Sequence, residues 1–255
     1  MAAQKGRILT IMRILAIDTA LPAVSACVLD SEAEEPISSE SIAMERGHAE
    51  AIMPLIERVM SKVDGGFATI DRVAIAVGPG SFTGIRIGLA AGQAIGLACN
   101  ADVVGVSTLA ALAAPLILEE FDGVVAAAID ARHDKVYVAA FGPDGRALLT
   151  PRRAGAHEAL RAVGDGPLLL IGSGAELLAK EARASGVAHR IVSDQASPDI
   201  AYVARLGLAA NPETAPARPL YLKEPDVTVA GKPQAAAGQN EPPATETLAS
   251  EPVQA

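Results

Sequence analysis

Histidines and cysteines are the side chains in this chain best suited to bind metal or act as nucleophiles, and their spacing supports neither role. The four histidines lie in separate segments: His48, His133, His157 and His189. None forms an HxxxH or HExxH pair, so the sequence predicts no zinc site of that kind. Cys27 and Cys99 stand in apolar surroundings without a CxxC pair. We interpret both cysteines as small core residues.

The most informative stretch is rich in glycine: residues 77–99 read VGPGSFTGIRIGLAAGQAIGLAC. Glycines at the start of a helix can bind phosphate through exposed backbone N–H groups. No Lys-Ser or Lys-Thr pair follows them, so a Walker loop is excluded. The glycines read GxGxxxG, one residue out of register with a dinucleotide-binding fingerprint, so that alternative is weak.

Four glycines form a stripe along the helix that this stretch predicts over residues 81–97. They recur every four residues: Gly84, Gly88, Gly92 and Gly96. Each interior glycine costs about 0.5–1 kcal/mol relative to alanine, so the stripe indicates that another backbone approaches closely. Apolar residues on the remaining faces predict that the helix is covered on nearly all sides. Arg86 and Gln93 lie inside the helix and argue against a membrane span.

Two interpretations of the stripe remain open. The glycines could serve tight packing within one subunit, or they could form a packing seam that is also a subunit interface, which we favour. A second amphipathic helix, predicted over residues 48–63, could cover the first one from within the same chain.

Two segments of the chain share one pattern, which predicts an internal duplication. In residues 13–29 an apolar strand ends at Asp18, and a turn leads into a second strand. Residues 124–141 repeat this arrangement around Asp130. The pattern does not by itself give either aspartate a chemical role, because each could simply be a turn former whose carboxylate accepts local backbone N–H groups.

Strand and helix signals alternate along the chain. Residues 73–77 and 102–106 read as buried strands on either side of the glycine-rich helix. This order predicts a right-handed crossover between parallel strands, so the predicted fold class is α/β.

Composition limits the class of protein and its partners. The 255 residues are 50% apolar, enough for a folded core, whereas residues 223–255 are rich in Pro, Ala and Glu and predict a disordered tail. The formal net charge is -9 and aromatic residues make up 3%, which disfavours direct binding of a nucleic acid, so we expect a partner to hold any RNA. Residues 1–11 lack the apolar stretch of a signal peptide. We treat them as an extension and expect a cytoplasmic protein that does not bind membranes.

Four stretches of the sequence closely resemble the TsaB family: residues 14–19, 46–50, 77–88 and 129–137. The resemblance covers about residues 12–222. It implies the actin-like ATPase fold (ASKHA class, ribonuclease H-like) with two duplicated lobes, which we place at residues 12–115 and 116–222. The duplicated pattern around the two aspartates agrees with that fold.

The resemblance also implies where a nucleotide or a metal would bind. In this superfamily the first hairpin of each lobe supplies an Asp to the metal and phosphates of ATP, which makes Asp18, Thr19 and Asp130 candidates. The turn after Asp18 contains no glycine and has Pro22, which removes a backbone donor. We therefore expect no cofactor in the cleft, and ATP or ADP only at a complex interface. Two metal-binding histidines of the paralogue TsaD correspond to Thr108 and Leu112, so we expect no metal site.

The resemblance implies a non-catalytic, activating subunit of the bacterial complex that makes tRNA threonylcarbamoyladenosine. Its partners would be TsaD, with which it forms a heterodimer, and TsaE in the larger complex; alone it would form a homodimer, and it would meet tRNA only indirectly. We predict that the TsaD interface includes residues of both helices: His48, Ile52, Leu55, Arg86, Ile87, Gly88, Ala91, Gly92 and Ile95. The alternatives are an ATP-dependent enzyme of the actin-like class, such as a small-molecule kinase, and a metallopeptidase.

Overall fold

A computed structural model describes residues 11–119 and 121–222 of the chain. The predicted tail at 223–255 and all but the last residue of the predicted extension at 1–11 lie outside the described residues.

The first half of the chain forms a five-stranded sheet. Its strands are β1 (Arg13–Asp18), β2 (Ala23–Asp30), β3 (Ser38–Ala43), β4 (Arg72–Gly78) and β5 (Asp102–Ser107). They lie in the order β3-β2-β1-β4-β5. The first three pair antiparallel, and β4 and β5 continue the sheet parallel to β1. The predicted crossover between parallel strands is therefore confirmed.

The second half repeats this sheet strand for strand. Its strands are β6 (Val124–Asp130), β7 (Lys135–Phe141), β8 (Ala147–Gly155), β9 (Leu168–Ile171) and β10 (His189–Ser193). Their order is β8-β7-β6-β9-β10, with antiparallel pairing among the first three and parallel pairing to β9 and β10. Because order and direction both agree with the first sheet, the predicted duplication is confirmed.

The helices occupy equivalent positions in the two halves. They are α1 (His48–Met60), α2 (Phe82–Cys99), α3 (Thr108–Leu118), α4 (Ala156–Val163), α5 (Ala175–Ser185) and α6 (Ile200–Ala209), with a short 3-10 turn at Gly66–Thr69. In each half one helix joins the third and fourth strands, one joins the fourth and fifth, and one follows the fifth. The predicted helices at 48–63 and 81–97 correspond to α1 and α2.

Strand β1 is apolar along its length because helices cover both of its faces. Leu15 and Ile17 pack with α1 and α2, whereas Ile14 and Ala16 pack with α6. A strand buried on both faces reads as a continuous hydrophobic run. Helices α2 and α6 therefore lie on opposite faces of the first sheet.

The last helix of each half packs against the sheet of the other half. Helix α3 contacts β6 and β7, and α6 contacts β1, β2 and β4. Buried Arg72 on β4 holds the end of α6: its Nη1 donates to the carbonyl oxygens of Gly207, Leu208 and Ala210 at 3.1, 3.1 and 2.9 Å. This exchange of helices ties the two halves together.

After α6 the chain returns to the first half. The Gly105 N–H donates to the Ala215 carbonyl at 2.9 Å, and the Leu220 N–H donates to the Val77 carbonyl at 2.8 Å. This path brings Tyr221 to the start of α2.

Candidate functional site

The start of α2 is built against the turn of the first hairpin. Ser81 caps the helix, because its hydroxyl accepts the Gly84 N–H at 3.2 Å. The Ser81 N–H in turn donates to the Ala20 carbonyl at 2.7 Å. A Cβ atom on Gly80 would overlap that same carbonyl. Glycine at position 80 thus lets the loop before α2 touch the hairpin.

The glycine stripe of α2 faces the protein's own sheet. A Cβ on Gly84 would overlap the Thr19 carbonyl oxygen, and one on Gly88 would lie 2.6 Å from Thr19 Oγ1. Added Cβ atoms on Gly92 and Gly96 would overlap the side chains of Ile75 and Val103, respectively. The backbone that approaches this helix closely therefore belongs to the same chain, and the interpretation of the glycines as a subunit seam is wrong.

Five of the nine predicted interface residues are buried inside this chain for the same reason. They are Ile52, Leu55, Gly88, Gly92 and Ile95. The two residues from α1 and Ile95 belong to the core between these helices and the first sheet. The two glycines face the first sheet and the other three side chains pack in this core, so all five are occupied within the subunit and these assignments are corrected.

The opposite face of α2 is exposed in the single chain, so full coverage of this helix, as predicted, would require a second subunit on that face. Phe82, Ala90 and Leu97 lie on that face, with Phe82 44% and Leu97 85% exposed. Four predicted interface residues keep accessible surface beside it: His48, Arg86, Ile87 and Ala91. Met53 on neighbouring α1 adds a further exposed apolar side chain.

Helix α2 is the one helix among residues 11–119 and 121–222 that is long and apolar enough to cross a membrane. Its glycine face, however, is buried against β1, β4 and β5. That packing accounts for its apolar composition.

An aromatic and cationic cluster marks the start of the exposed face. The Phe82 and Tyr221 rings stack with centroids 4.9 Å apart. The guanidinium carbon of Arg86 lies 3.8 Å from the Phe82 ring centroid, and its Nε donates to the Tyr221 hydroxyl at 3.0 Å. Cation–π contacts of this kind fix a surface side chain in place.

A cleft of about 820 Å³ opens between the two halves, beside this face. Four loops line it: residues 20–22 of the first hairpin, 45–50 before and in α1, 80–84 before and in α2, and 129–132 of the second hairpin. His48 Nε2 lies 3.1 Å from the Leu21 carbonyl oxygen and thereby joins two of these loops.

The two repeated aspartates make the same local hydrogen bond. Asp18 Oδ1 accepts the Ala20 N–H at 2.7 Å, and Asp130 Oδ1 accepts the Arg132 N–H at 2.7 Å. Both are therefore turn formers. They differ in burial, because Asp18 is 3% exposed whereas Asp130 lies at the surface of the cleft.

Asp18 and Thr19 are turned into the fold, away from the cleft. Burial raises the pKa of Asp18 to about 6, against the opposing effects of the Ala20 N–H and the charge of His48. The buried Thr19 hydroxyl donates to the Gly84 carbonyl at 2.7 Å. Of the three residues predicted to bind a cofactor, only Asp130 lines the cleft.

Comparisons with known proteins point to a TsaD-type domain and to relatives named TsaB. Residues 41–204 match the family model described as "TsaD: tRNA N6-adenosine threonylcarbamoyltransferase". The Escherichia coli "tRNA threonylcarbamoyladenosine biosynthesis protein TsaB" is 35% identical over 133 residues. The chain belongs to the TsaB family. The resemblance predicted from the sequence is thereby confirmed.

Some relatives align with more of this chain than the E. coli protein does. The E. coli alignment spans about half of each protein, 52% of this chain and 56% of the relative. An uncharacterized Mycobacterium tuberculosis protein is 32% identical over 216 residues, 85% of this chain and 94% of that one. The solved structure of YeaZ from Pseudomonas aeruginosa, 26% identical, superposes with a TM-score of 0.68 over 83% of this chain and all of that one. The predicted actin-like, ribonuclease H-like fold class is confirmed.

This chain has Thr108 and Leu112 at the two positions that the resemblance assigns to metal-binding histidines of TsaD. Thr108 and Leu112, at the start of α3, are fully buried. Leu112 packs among apolar residues of the second sheet. Within residues 11–119 and 121–222, no group of three or more His, Cys, Asp and Glu side chains could hold a metal ion.

The sequence reasoning missed the exposed stripe, although its signal is present. Residues 82, 86, 90, 93 and 97 recur at intervals of four and three, which places them on one side of a helix. The glycine pattern instead indicated the opposite side of the helix, which is the buried one. Tyr221 gave no such signal, because its contact with Phe82 depends on the return path of the chain after α6.

Proposed function

We propose that this protein acts in tRNA threonylcarbamoyladenosine biosynthesis as a non-catalytic subunit that binds and activates TsaD. The observation that carries the proposal is the exposed stripe of α2, in a chain of the TsaB family. Isolated exposed apolar side chains are common on proteins. Here Phe82, Ala90 and Leu97 lie along one side of a single helix, with Arg86 and Gln93 between them, and such a face is typical of a surface that another helix covers.

The glycine face and the stripe have complementary roles in this proposal. Gly84 to Gly96 hold α2 tightly on its own sheet, which fixes the position and direction of the exposed face. Ala90 and Ala94 on that face are small, so a partner helix can approach closely. A partner with the same duplicated fold presents an equivalent pair of helices, and two such pairs pack into a four-helix bundle.

The same geometry supports a homodimer when TsaD is absent. In such a homodimer the two copies of the stripe would meet around a two-fold axis. TsaD would displace the second copy, and TsaE would join the larger complex. The net charge of -9 is unfavourable for direct binding of tRNA phosphates, so the partner would hold the tRNA.

The non-catalytic part of the proposal is supported by the hairpin turns. The Asp18 carboxyl group accepts a local N–H and is buried, and Thr19 is bonded to Gly84. Neither side chain is placed to meet a phosphate in the cleft. ATP or ADP, if it takes part, would bind at the junction with TsaD.

A single substitution on the stripe tests the proposal. We expect Leu97→Asp to weaken TsaD binding about tenfold or more, which corresponds to about 1.4 kcal/mol of binding free energy. The reason is that the substitution places a charge in an apolar contact. Binding is measured by co-elution and calorimetry, and function by reconstituted modification of tRNA. Leu148→Asp is the matched control, since Leu148 is an exposed leucine on β8, away from α2. Full binding and modification with the Leu97 variant would refute the assigned surface.

A second experiment addresses the enzymatic alternatives. The isolated protein is assayed for magnesium-dependent ATP turnover, and for peptidase activity with and without a chelator. The proposal expects no turnover in either assay. Turnover that disappears in an Asp130→Asn variant would instead assign chemistry to the cleft.

A further inference from the structure

A second groove lies on the face of the first sheet opposite α2. It has a volume of about 600 Å³ and runs between α3 and α6. Ala110, Ala114 and Ile117 line one side, and Tyr202 and Leu206 line the other. Because α6 and α2 cover opposite faces of β1, this groove is separate from the surface proposed to bind TsaD.

The groove is apolar and open at its edge. Leu29 from the end of β2 and Phe141 from the end of β7 contribute apolar side chains. Leu118, the last residue of α3, lines the groove and is 69% exposed. Alanines along α3 leave the groove wide enough for side chains from outside. An exposed leucine beside an open apolar groove is typical of a site that another molecule covers.

The rim of the groove carries more acidic than basic side chains. The exposed acidic residues next to lining positions are Glu32, Glu34, Glu119 and Asp144. The basic residues are Arg146, which is exposed beside the groove, and Arg205, which is half-buried and lines it. The guanidinium group of Arg205 is engaged, because it donates to the backbone carbonyl of Glu34. That carbonyl is neutral, so Arg205 keeps its charge, and four carboxylates against two guanidinium groups give the described rim a net negative charge.

Charge selects the kind of occupant. An apolar groove with an acidic rim is complementary to an amphipathic helix whose polar face is basic. A second copy that docks groove to groove is disfavoured by like charge, because the two acidic rims would meet. Residues 223–255 are disfavoured for the same reason, because their sequence contains more Glu and Asp than Lys.

We propose that the groove between α3 and α6 binds a basic amphipathic helix of a further protein partner. Leucine-like side chains of that helix would fill the space between Ala114 and Leu206, and its lysines or arginines would meet Glu32 and Glu119. The protein would then present two docking surfaces, one on each face of its first sheet. This proposal does not depend on the TsaD interface.

A designed peptide tests the groove. The probe is a fluorescent helical peptide of about 18 residues with leucine at positions i, i+3, i+4 and i+7 and lysine elsewhere. Two control peptides have glutamate in place of lysine, or the same composition in scrambled order. We expect saturable binding of the basic helix to the full chain, weakened by salt, and at least tenfold weaker binding of both controls.

Variants show where the peptide binds. We expect Leu118→Lys and Glu32→Lys each to weaken binding of the basic peptide at least fivefold. Leu148→Lys, at an exposed leucine outside the groove, should bind as the unaltered protein does. Leu97→Asp should also retain peptide binding, which separates this surface from the one on α2. Thermal unfolding of each variant confirms that it is folded.

Several outcomes would overturn the proposal. Equal binding of basic, acidic and scrambled peptides would show that charge and helical spacing are not recognised. Unchanged binding by the folded Leu118→Lys protein would place the peptide elsewhere. Binding of an apolar dye but of no peptide would indicate a small-molecule site instead. Loss of a homodimer in Leu118→Lys would assign the groove to a second copy of the chain.

Discussion

Thr19 and Gly84 are in contact both through a hydrogen bond and through close packing. The Thr19 hydroxyl donates to the Gly84 carbonyl at 2.7 Å, and a side chain on Gly84 would overlap the Thr19 backbone carbonyl. The first hairpin therefore rests directly on the backbone of α2. The exposed stripe on the far side of α2 is held in position by this contact.

Overpacking the glycine face should unfold the protein. Gly92→Leu would drive a branched side chain into Ile75 on β4, and we expect a loss of about 3 kcal/mol or more in the free energy of unfolding. Ala90→Leu is the matched control, because it adds the same side chain two residues away on the exposed face. Its effect should stay within about 0.5 kcal/mol. Urea unfolding compares the two, and a fully stable Gly92→Leu protein would contradict the packing.

Substituting the buried carboxyl group of Asp18 should change how stability depends on pH. Burial raises the pKa of Asp18 to about 6, so this carboxyl group holds its proton more tightly in the folded protein than in the unfolded chain. The group then costs stability as pH rises from about 4 to above 6, by about 3 kcal/mol at neutral pH relative to an ordinary carboxyl.

Asp18→Asn removes that cost while its side-chain oxygen still accepts the Ala20 N–H. We expect the variant to gain about 3 kcal/mol over the original protein at pH 8, and only about 1 kcal/mol at pH 4.5. Urea unfolding at the two pH values measures the difference. A variant that is less stable at pH 8 would mean that the Asp18 carboxylate is favoured by interactions stronger than its burial.

Arg72 should be required for α6 to remain on the first sheet. In Arg72→Met, the three carbonyl groups at the end of α6 lose their donor, which we expect to cost about 3 kcal/mol. Cys27 reports whether the whole helix is released, since it lies under the start of α6, at the end away from Arg72, and its Sγ–H donates to the Ile200 carbonyl at 3.6 Å. Burial raises the pKa of the Cys27 thiol to about 12, so it should react slowly in the original protein.

A thiol reagent measures the release of α6. We expect Cys27 to react at least tenfold faster in Arg72→Met, with half-buried Cys99 as the internal reference. Arg183→Met is the control, because it removes an exposed arginine paired with Glu176 on the surface. If Cys27 stays unreactive in Arg72→Met, the hydrogen bonds to α6 are not what retains it.

The fold could be predicted from sequence because its signals are local and repeated. The runs that end at Asp18 and Asp130 are apolar over several residues, and each precedes a turn that its own carboxylate stabilises. Local signals could not predict which side of α2 is buried against the sheet and which is exposed. Its glycines and its apolar residues surround the helix, and only the positions of Thr19 and Ile75 decide which side is buried. The exchange of α3 and α6 between halves depends on long-range packing that no local pattern encodes.

Tyr221 should contribute to TsaD binding through its contacts with Phe82 and Arg86. The stacked ring and the hydrogen bond from Arg86 hold both side chains at the start of the exposed stripe. Tyr221→Ala removes both contacts, and Tyr221→Phe removes only the hydrogen bond. If Phe82 and Arg86 must be ordered to meet a partner, we expect affinity for TsaD to fall about tenfold in the first variant and about twofold in the second. Calorimetry with TsaD measures both, and thermal unfolding shows whether either variant has lost its fold. Equal affinity of the original protein and Tyr221→Ala for TsaD would exclude the cluster from the interface. That result would not exclude the rest of the stripe, because Leu97 lies at the opposite end of α2 and is tested separately by Leu97→Asp.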